Sequence, residues 1–477
     1  MRVAAWLGVL LGVCLPLGAE ANSEPSRALH FEEVLQSVTA HDPRIRQAVE
    51  GLRKAEGKST EARGAFDPAL EGSLGLKTGA YYDLREADAE LRQATSLWGS
   101  EVYLGYRIGR GLNERWPTYL DNQTLSGGEV RAGVELPIWR GGLIDEERAQ
   151  RSKAERLEEA ARQGVSSTAL SLELAAARAY WGWVSAGRTL EVTRSLLALA
   201  EQRDQQLRRR LSAGSIAEFD VQDNERILYE RRALLVSAER AFERAQLDLS
   251  LFLRDSEGRS RLADHSLLPE LPAPSEEALS VEDSLISRVL SCHPELRQAR
   301  AELRASEVDV RLSRNQVAPE LGGRFEYSRD LGELTGTEQD LTLPGNVFAA
   351  GIELSMPLLL RKERGRASAA RAEVAQKQAD IDFLEDRYEA SVRDAASAVR
   401  AASERVELTH SVLGTASALA RGERSRFEVG ASNLVFVNLR EQQAAMAEIQ
   451  FIEATALAQI ERTRWDTTTR VACGPND

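Results

Sequence analysis

The sequence predicts a mainly α protein with a membrane β-barrel part, in which long antiparallel, coiled-coil-like helices make up most of the chain. Three observations lead there. Apolar residues recur by threes and fours over very long runs, short segments switch to a period of two, and an internal duplication repeats this plan in order. An aromatic content of only 6% beside 28% charged residues agrees with long helices.

The duplication organises everything else. His41-Asp42-Pro43-Arg44-Ile45-Arg46-Gln47-Ala48 matches Cys292-His293-Pro294-Glu295-Leu296-Arg297-Gln298-Ala299. The same offset sets Pro68 opposite Pro319. Further on, Gly133-Val134-Glu135-Leu136 matches Gly351-Ile352-Glu353-Leu354, and Arg210-Leu211-Ser212-Ala213-Gly214 matches Arg426-Phe427-Glu428-Val429-Gly430. The first repeat is read over residues 22–254 and the second over 281–467, with a Ser/Pro-rich connector at 255–280 and a tail at 468–477.

Each half reads as a short helix (43–66; 294–317), a proline-marked strand region (about 69–139; about 320–357), one very long helix and a return helix. The long helices, 143–211 and 361–427, each reach roughly 100 Å at 1.5 Å per residue, and the return helices, 217–253 and 433–465, roughly 50 Å. A short helix and a return helix placed end to end match one long helix. An extended bundle or tube therefore suits them better than a globule. In the second half Ala370, Val374, Gln378, Ile381, Leu384, Tyr388, Val392, Ala395, Val399, Ala402, Val406, Thr409, Leu413, Ala416 and Ala420 form one seam, interrupted by the amide of Gln378.

The strands alternate. Val130, Ala132, Val134, Leu136 and Ile138 oppose Glu129, Arg131, Gly133 and Glu135. Phe348, Ala350, Ile352, Leu354 and Met356 repeat the pattern, as do Leu321, Gly323, Phe325 and Tyr327, and more weakly Leu70, Leu74 and Leu76. One apolar and one charged face fit a barrel with lipid outside and water inside, and also fit a soluble sandwich with one wet face. Trp98, Tyr103, Tyr106, Trp116, Tyr119 and Trp139 gather in this region, as an interfacial girdle would. Four strands cannot close a barrel, because even small ones need about eight, so the chain is expected to share one with copies of itself. The first strand region is longer than the second. Its excess contains Val102, Leu104, Tyr106 and Ile108 alternating with Glu101, Tyr103, Gly105 and Arg107, read either as an enlarged loop or as an extra hairpin.

The start of the chain carries the signs of export. Arg2, an apolar stretch from Leu7 to Leu17 and Ala19-Glu20-Ala21 fit a secretory leader over 1–21, too short to span a bilayer. Cys14 leaves a lipid-anchored alternative open. A net charge of −13 with no basic stripe argues against nucleic acid. The five histidines are scattered, and no nucleophile elbow, phosphate loop or metal-ligand spacing is found. The expectation is a protein without catalytic residues, cofactor or metal.

This plan resembles the outer membrane efflux protein family, the TolC-like trimeric channels, across essentially the whole mature chain. The residues that carry it are Leu35, His41-Asp42-Pro43 and Gln47-Ala48 with the echo at His293-Pro294. They also include Gly133-Val134-Glu135-Leu136-Pro137 with residues 351–357, and the hairpin signatures Ala213-Gly214-Ser215 and Val429-Gly430-Ala431-Ser432. The resemblance implies a homotrimer in outer-membrane lipid, each protomer giving four strands to a shared twelve-stranded barrel above a helical tunnel in the periplasm. It further implies a passive exit duct for efflux or type I secretion, docked on a periplasmic adaptor and an inner-membrane pump. The two hairpins, centred near 214 and 430, would be the adaptor-contact tips. A tight helix reversal alone also explains their glycines.

Family channels often carry aspartates just past the tip. Here the first half has Asp220 and Asp223, whereas the matching Phe436 and Leu439 are apolar, so a greasier entrance is one reading and plain helix-terminal acids another. Cys292 and Cys473 fall at mid-height in this arrangement, either as two free thiols or as a disulfide. A periplasmic coiled-coil adaptor or scaffold is the alternative function. It predicts one hairpin flanked by a β-rich lipoyl-like domain.

Overall fold

The computed structural model describes residues 28–79, 82–112, 123–273, 281–333, 345–471 and 473. The leader, Cys14, Trp116 and Tyr119 lie outside them. The first half contains α1 (Phe31–His41), α2 (Pro43–Gly64), β1 (Ala69–Gly79), β2 (Tyr82–Ala94), β3 (Glu101–Leu112), β4 (Glu129–Pro137), α3 (Glu146–Ser212) and α4 (Glu218–Ser250). The second contains α5 (Asp283–Cys292), α6 (Pro294–Asn315), β5 (Glu320–Asp330), β6 (Asn346–Ser355), α7 (Arg361–Glu428) and α8 (Leu434–Thr469).

The repeated proline motif marks a helix-to-helix joint. Asp42 ends α1 and caps α2, its Oδ1 accepting the Arg44 N–H at 2.8 Å, with Pro43 in the first helical position where no amide donor is needed. His293 does the same between α5 and α6, its Nδ1 accepting the Glu295 N–H at 3.3 Å ahead of Pro294. Burial pushes the His293 imidazole down to about 4, so the ring is neutral and that nitrogen is free to accept. Asp145 and Asn433 cap α3 and α8.

The long helices run 67 and 68 residues, about 100 Å each. Along α3 pack α2 and then α4; along α7 pack α6 and then α8; α3 also packs on α6 and α8. Each half is thus the expected two-row hairpin. At the joints sit the cores. Val34 and Val38 of α1 pack with Tyr180, Trp183, Val184 and Leu190 of α3 and with Phe242 and Leu249 of α4. The Tyr180 hydroxyl donates to the Leu29 carbonyl at 2.8 Å. The matching core of the second half is thinner: Ile286 and Val289 of α5, Val392, Ala395, Ala396 and Val399 of α7, and Trp465 of α8. The α7 seam is as read except at Gln378, which lies exposed and donates to Asp382 at 2.8 Å. An amide in that row is kept because it points to water.

The sheet corrects one expectation. It has six strands in the order β1-β2-β3-β4-β5-β6, all neighbours antiparallel, where four were counted. The long first-half region is an extra hairpin, β2–β3, placed between β1 and β4. The cause is legible in β2 once the register is known: Ala87, Ala89 and Leu91 share a face with Leu74, Gly72 and Leu70 of β1. Two of those three are alanines among charges, a pattern too weak to read as a strand alone. Tyr103 is a second correction: it lies on the polar face, only 4% exposed, and not in an apolar girdle.

Cys292, at the end of α5, is joined to Cys473, which follows α8, with Cα atoms 5.1 Å apart. The bridge would tie the mid-height joint of the second half to the end of α8. Peptide mapping without reductant should return the two cysteines as one linked species. Recovery of both as free thiols from freshly isolated protein would contradict the pairing.

Candidate functional site

Two regions present chemistry to the outside: the helical tips and the two faces of the sheet. Each tip is a reversal built on a left-handed glycine. Gly214 has φ +71 and Gly430 φ +80, and a Cβ at either would meet nothing within 4 Å. Backbone torsion, not crowding, is what selects glycine here. In the first tip the Ser215 N–H reaches back to the Arg210 carbonyl at 3.0 Å and the Gly214 N–H to Leu211 at 2.9 Å; in the second, Ala431 reaches Arg426 at 2.8 Å and Gly430 reaches Phe427 at 3.1 Å. These are the bonds that close a helix C-terminus.

Of the tip residues, Ala213, Gly214, Ser215, Val429, Gly430 and Ala431 are exposed, and Ser432 is half-buried against Glu423. Beyond them, Asp220 accepts the Ala217 N–H at 3.3 Å and Asp223 pairs with Arg226 at 3.2 Å, so both acids have local work at the start of α4. Phe436 and Leu439 are 52% and 44% exposed, and Phe219 and Val435 add to an apolar tip surface.

Just above the tips lies a feature that sequence reading missed. Arg203 of α3 and Arg231 of α4 are buried beside Glu441 of α8, with N–O distances of 2.6 and 3.5 Å, and Arg424 of α7 approaches the same carboxylate at 3.0 Å. Arg203 also donates to Asn438, and Arg231 to the Leu196 carbonyl at 2.7 Å. One carboxylate thus holds guanidiniums from three other helices and fixes the register of both hairpins. The sequence signal was faint: Glu441 is one acid among many on a charged helix, and only the packing shows that it faces inward.

The sheet is two-faced across all six strands. One face carries Leu70, Leu91, Leu104, Ala132, Tyr327 and Phe348 in a single row across paired strands. Leu74, Ile352 and Leu354 add to it, 89%, 78% and 66% exposed. The other face is an ionic lattice: Arg92 meets Glu90 at 2.5 Å and Glu101 at 2.8 Å, and Arg107 meets Glu129 at 2.5 Å. Strands of 9 to 13 residues match the length that crosses a bilayer at a tilt. At the sheet end nearest the helices, Trp98, Trp139, Leu143 and Leu358 are all exposed, an amphipathic belt of the kind that sits at a membrane surface. No helix among the described residues is long and apolar enough to cross a membrane.

A sheet with one exposed apolar face, standing on a helical bundle about 100 Å long, is the architecture on which the chain can be compared with known proteins. The family profile described as outer membrane efflux protein matches residues 285–465. That segment is similar to the family, and the fold of solved outer-membrane channels extends over nearly the whole chain. The outer-membrane channel OprN is 17% identical with a TM-score of 0.68, covering 94% of each chain. The CmeC outer membrane channel of Campylobacter jejuni is 10% identical with a TM-score of 0.66, over 92% of this chain and 85% of that one. The outer membrane protein VceC of Vibrio cholerae is 14% identical with a TM-score of 0.63, over 93% and 96%. Among curated protein sequences none matches this chain.

The Glu441 cluster makes a prediction. Burial alone would push this carboxyl up, but hydrogen bonds and charge from Arg203, with Arg424 and Arg231, outweigh it and hold the group below the usual carboxylate range. A depressed folded value means the stabilisation is complete above the unfolded-state pKa and is lost as pH falls through the folded one. Glu441→Gln should cost about 3–5 kcal/mol at neutral pH, because it strands buried guanidiniums. It should also flatten the loss of stability that the wild-type protein shows below the ordinary carboxylate range. Unfolding followed by circular dichroism at a series of pH values reads both.

Proposed function

We propose that this chain is the outer-membrane exit duct of a tripartite efflux or type I secretion system. Three copies would close one barrel over one helical tunnel and conduct substrate passively from a periplasmic adaptor and inner-membrane pump to the outside. The observation that carries the reading is the pairing of a lipid-faced sheet with a bundle long enough to span a periplasm, both built twice in one chain. A single protomer cannot be the channel, because β1 and β6 leave their outer edges unpaired in the sheet, which hydrocarbon does not tolerate.

The tips, Ala213-Gly214-Ser215 and Val429-Gly430-Ala431-Ser432, are the proposed adaptor contacts. The N–H groups of Ala213, Gly214, Ser215, Val429, Gly430 and Ala431 are used in closing the helices, so recognition would fall to the small side chains and to the neighbouring Phe219, Val429 and Val435. At the entrance, the exposed Phe436 and Leu439 support an apolar constriction. Asp220 and Asp223, engaged by their own helix, do not argue for an acidic ring. The adaptor or scaffold alternative expects strands at the ends of one hairpin; here strands stand mid-repeat in both halves.

The test is biochemical. The full chain, expressed in a Gram-negative host, should fractionate with the outer membrane and run as a heat-sensitive oligomer after detergent extraction. Single substitutions Ser215→Cys and Ala431→Cys should cross-link to the adaptor, while Arg240→Cys, exposed along the shaft of α4, should not. Recovery in the soluble periplasmic fraction would contradict the duct and favour the scaffold.

A further inference from the structure

We infer that this chain places six strands, not four, in the barrel wall, so that three copies close an eighteen-stranded barrel; the inference rests on the exit-duct reading. The point at issue is the hairpin β2–β3, which has no counterpart in the second half. Such an insertion could fold as a cap above the membrane. Three sets of contacts place it in the wall instead.

The first is its turn. The hairpin reverses at residues 95–100, and this turn lies at the sheet end nearest the helices. The Gln93 side chain donates to the Phe66 carbonyl. A Cβ on Gly99 would fall within 3 Å of Asp145, Gly141 and Arg148, at the start of α3, and one on Gly142 would strike the Trp98 ring. The opposite ends of the strands lie beside the far loops, where the Gly127 N–H bonds to Leu331 at 2.6 Å and Tyr106 Oη to Gly127 at 2.7 Å. A hairpin that touches the helical bundle at its turn and the far loops at its open end spans the full height of the sheet.

The second is how the polar face is stitched. Arg131 of β4 reaches over β3 to Asp88 and Glu90 of β2. The residue beneath it, in register between Glu90 and Arg131, is Gly105, where a Cβ would come to 3.4 Å of both partners. Tyr103 of β3 likewise reaches over β4 to Glu326 of β5 at 2.5 Å, and beneath it lies Gly133, where a Cβ would collide with the phenol ring. Two glycines clear the way for two long side chains that bind the added hairpin to the strands shared by both repeats.

The third is the apolar row, which continues through Leu91 and Leu104 without a break. A cap in water would have no reason to continue it.

Closure is consistent with this count. With every neighbouring pair antiparallel across an even number of strands, β1 and β6 run in opposite directions, so β6 of one copy can pair antiparallel with β1 of the next, as such barrels require. At a spacing of about 4.8 Å and a tilt of about 45°, eighteen strands give a radius of about 20 Å to the strand axes, against about 13 Å for twelve. The cross-section grows roughly twofold. Selection would then rest on the helical tips, and the barrel would be a wide vestibule lined by paired charges.

Electron cryo-microscopy of the full-length oligomer in lipid nanodiscs counts the strands directly. Eighteen strands, with β2 and β3 between β1 and β4, is the expected result. Twelve strands with residues 82–112 outside the wall would overturn the inference and leave the exit duct intact, whereas a particle without a membrane barrel would overturn the duct itself. A spin label at Ala89→Cys gives a second reading. Relaxation by oxygen but not by a water-soluble nickel complex is expected of a lipid-facing site; strong relaxation by nickel would place the hairpin in water and overturn the inference.

Discussion

A sheet in hydrocarbon must have no free edge, and most of this molecule follows from that constraint. Every backbone N–H and C=O at membrane depth needs a partner, since lipid offers none. One chain supplies a sheet with two open edges, so the proposed barrel would be completed by copies of itself. The helices are subject to the same symmetry. Each copy contributes two long hairpins, and the strands leave the bundle after α2 and α6 and return to it at the starts of α3 and α7. The polar lattice on one face and the apolar rows on the other then assign water and lipid to their sides without further help.

The two halves share a plan but divide its costs unevenly. The first carries the aromatic core around Tyr180 and Trp183 and the added hairpin. The second has a seam with alanine at five of its fifteen positions, a thinner core at Ile286, Val289 and Trp465, and the disulfide. Small residues let α7 and α8 approach closely but bury little area per residue, and a covalent tie at the mid-height joint is a reasonable substitute. Near the tips the halves are locked together, with one carboxylate at Glu441 meeting arginines of α3, α4 and α7. Register there is set by charge beside a small apolar cluster of Leu197, Ala200 and Leu228.

Much of this was legible in the chain itself. The long helices, the tips at Gly214 and Gly430, the proline starts of the short helices and the faces of β3 to β6 follow from period, proline and glycine, because these are local rules. The strand β2 was not legible: its apolar face is two alanines and a leucine, and its polar face is so charged that alternation is masked. Tyr103 was misplaced because an aromatic in a strand suggests an interface, and only the register shows that it lies over Gly133. The Glu441 cluster depends on four helices meeting, and no spacing along one of them records that.

The central claim is that the barrel is completed between copies, and native mass measurement of detergent-extracted protein tests it most directly. The account predicts one species of three chains that falls to monomers only on heating or strong denaturation. A monodisperse single chain that stays soluble without detergent would contradict it.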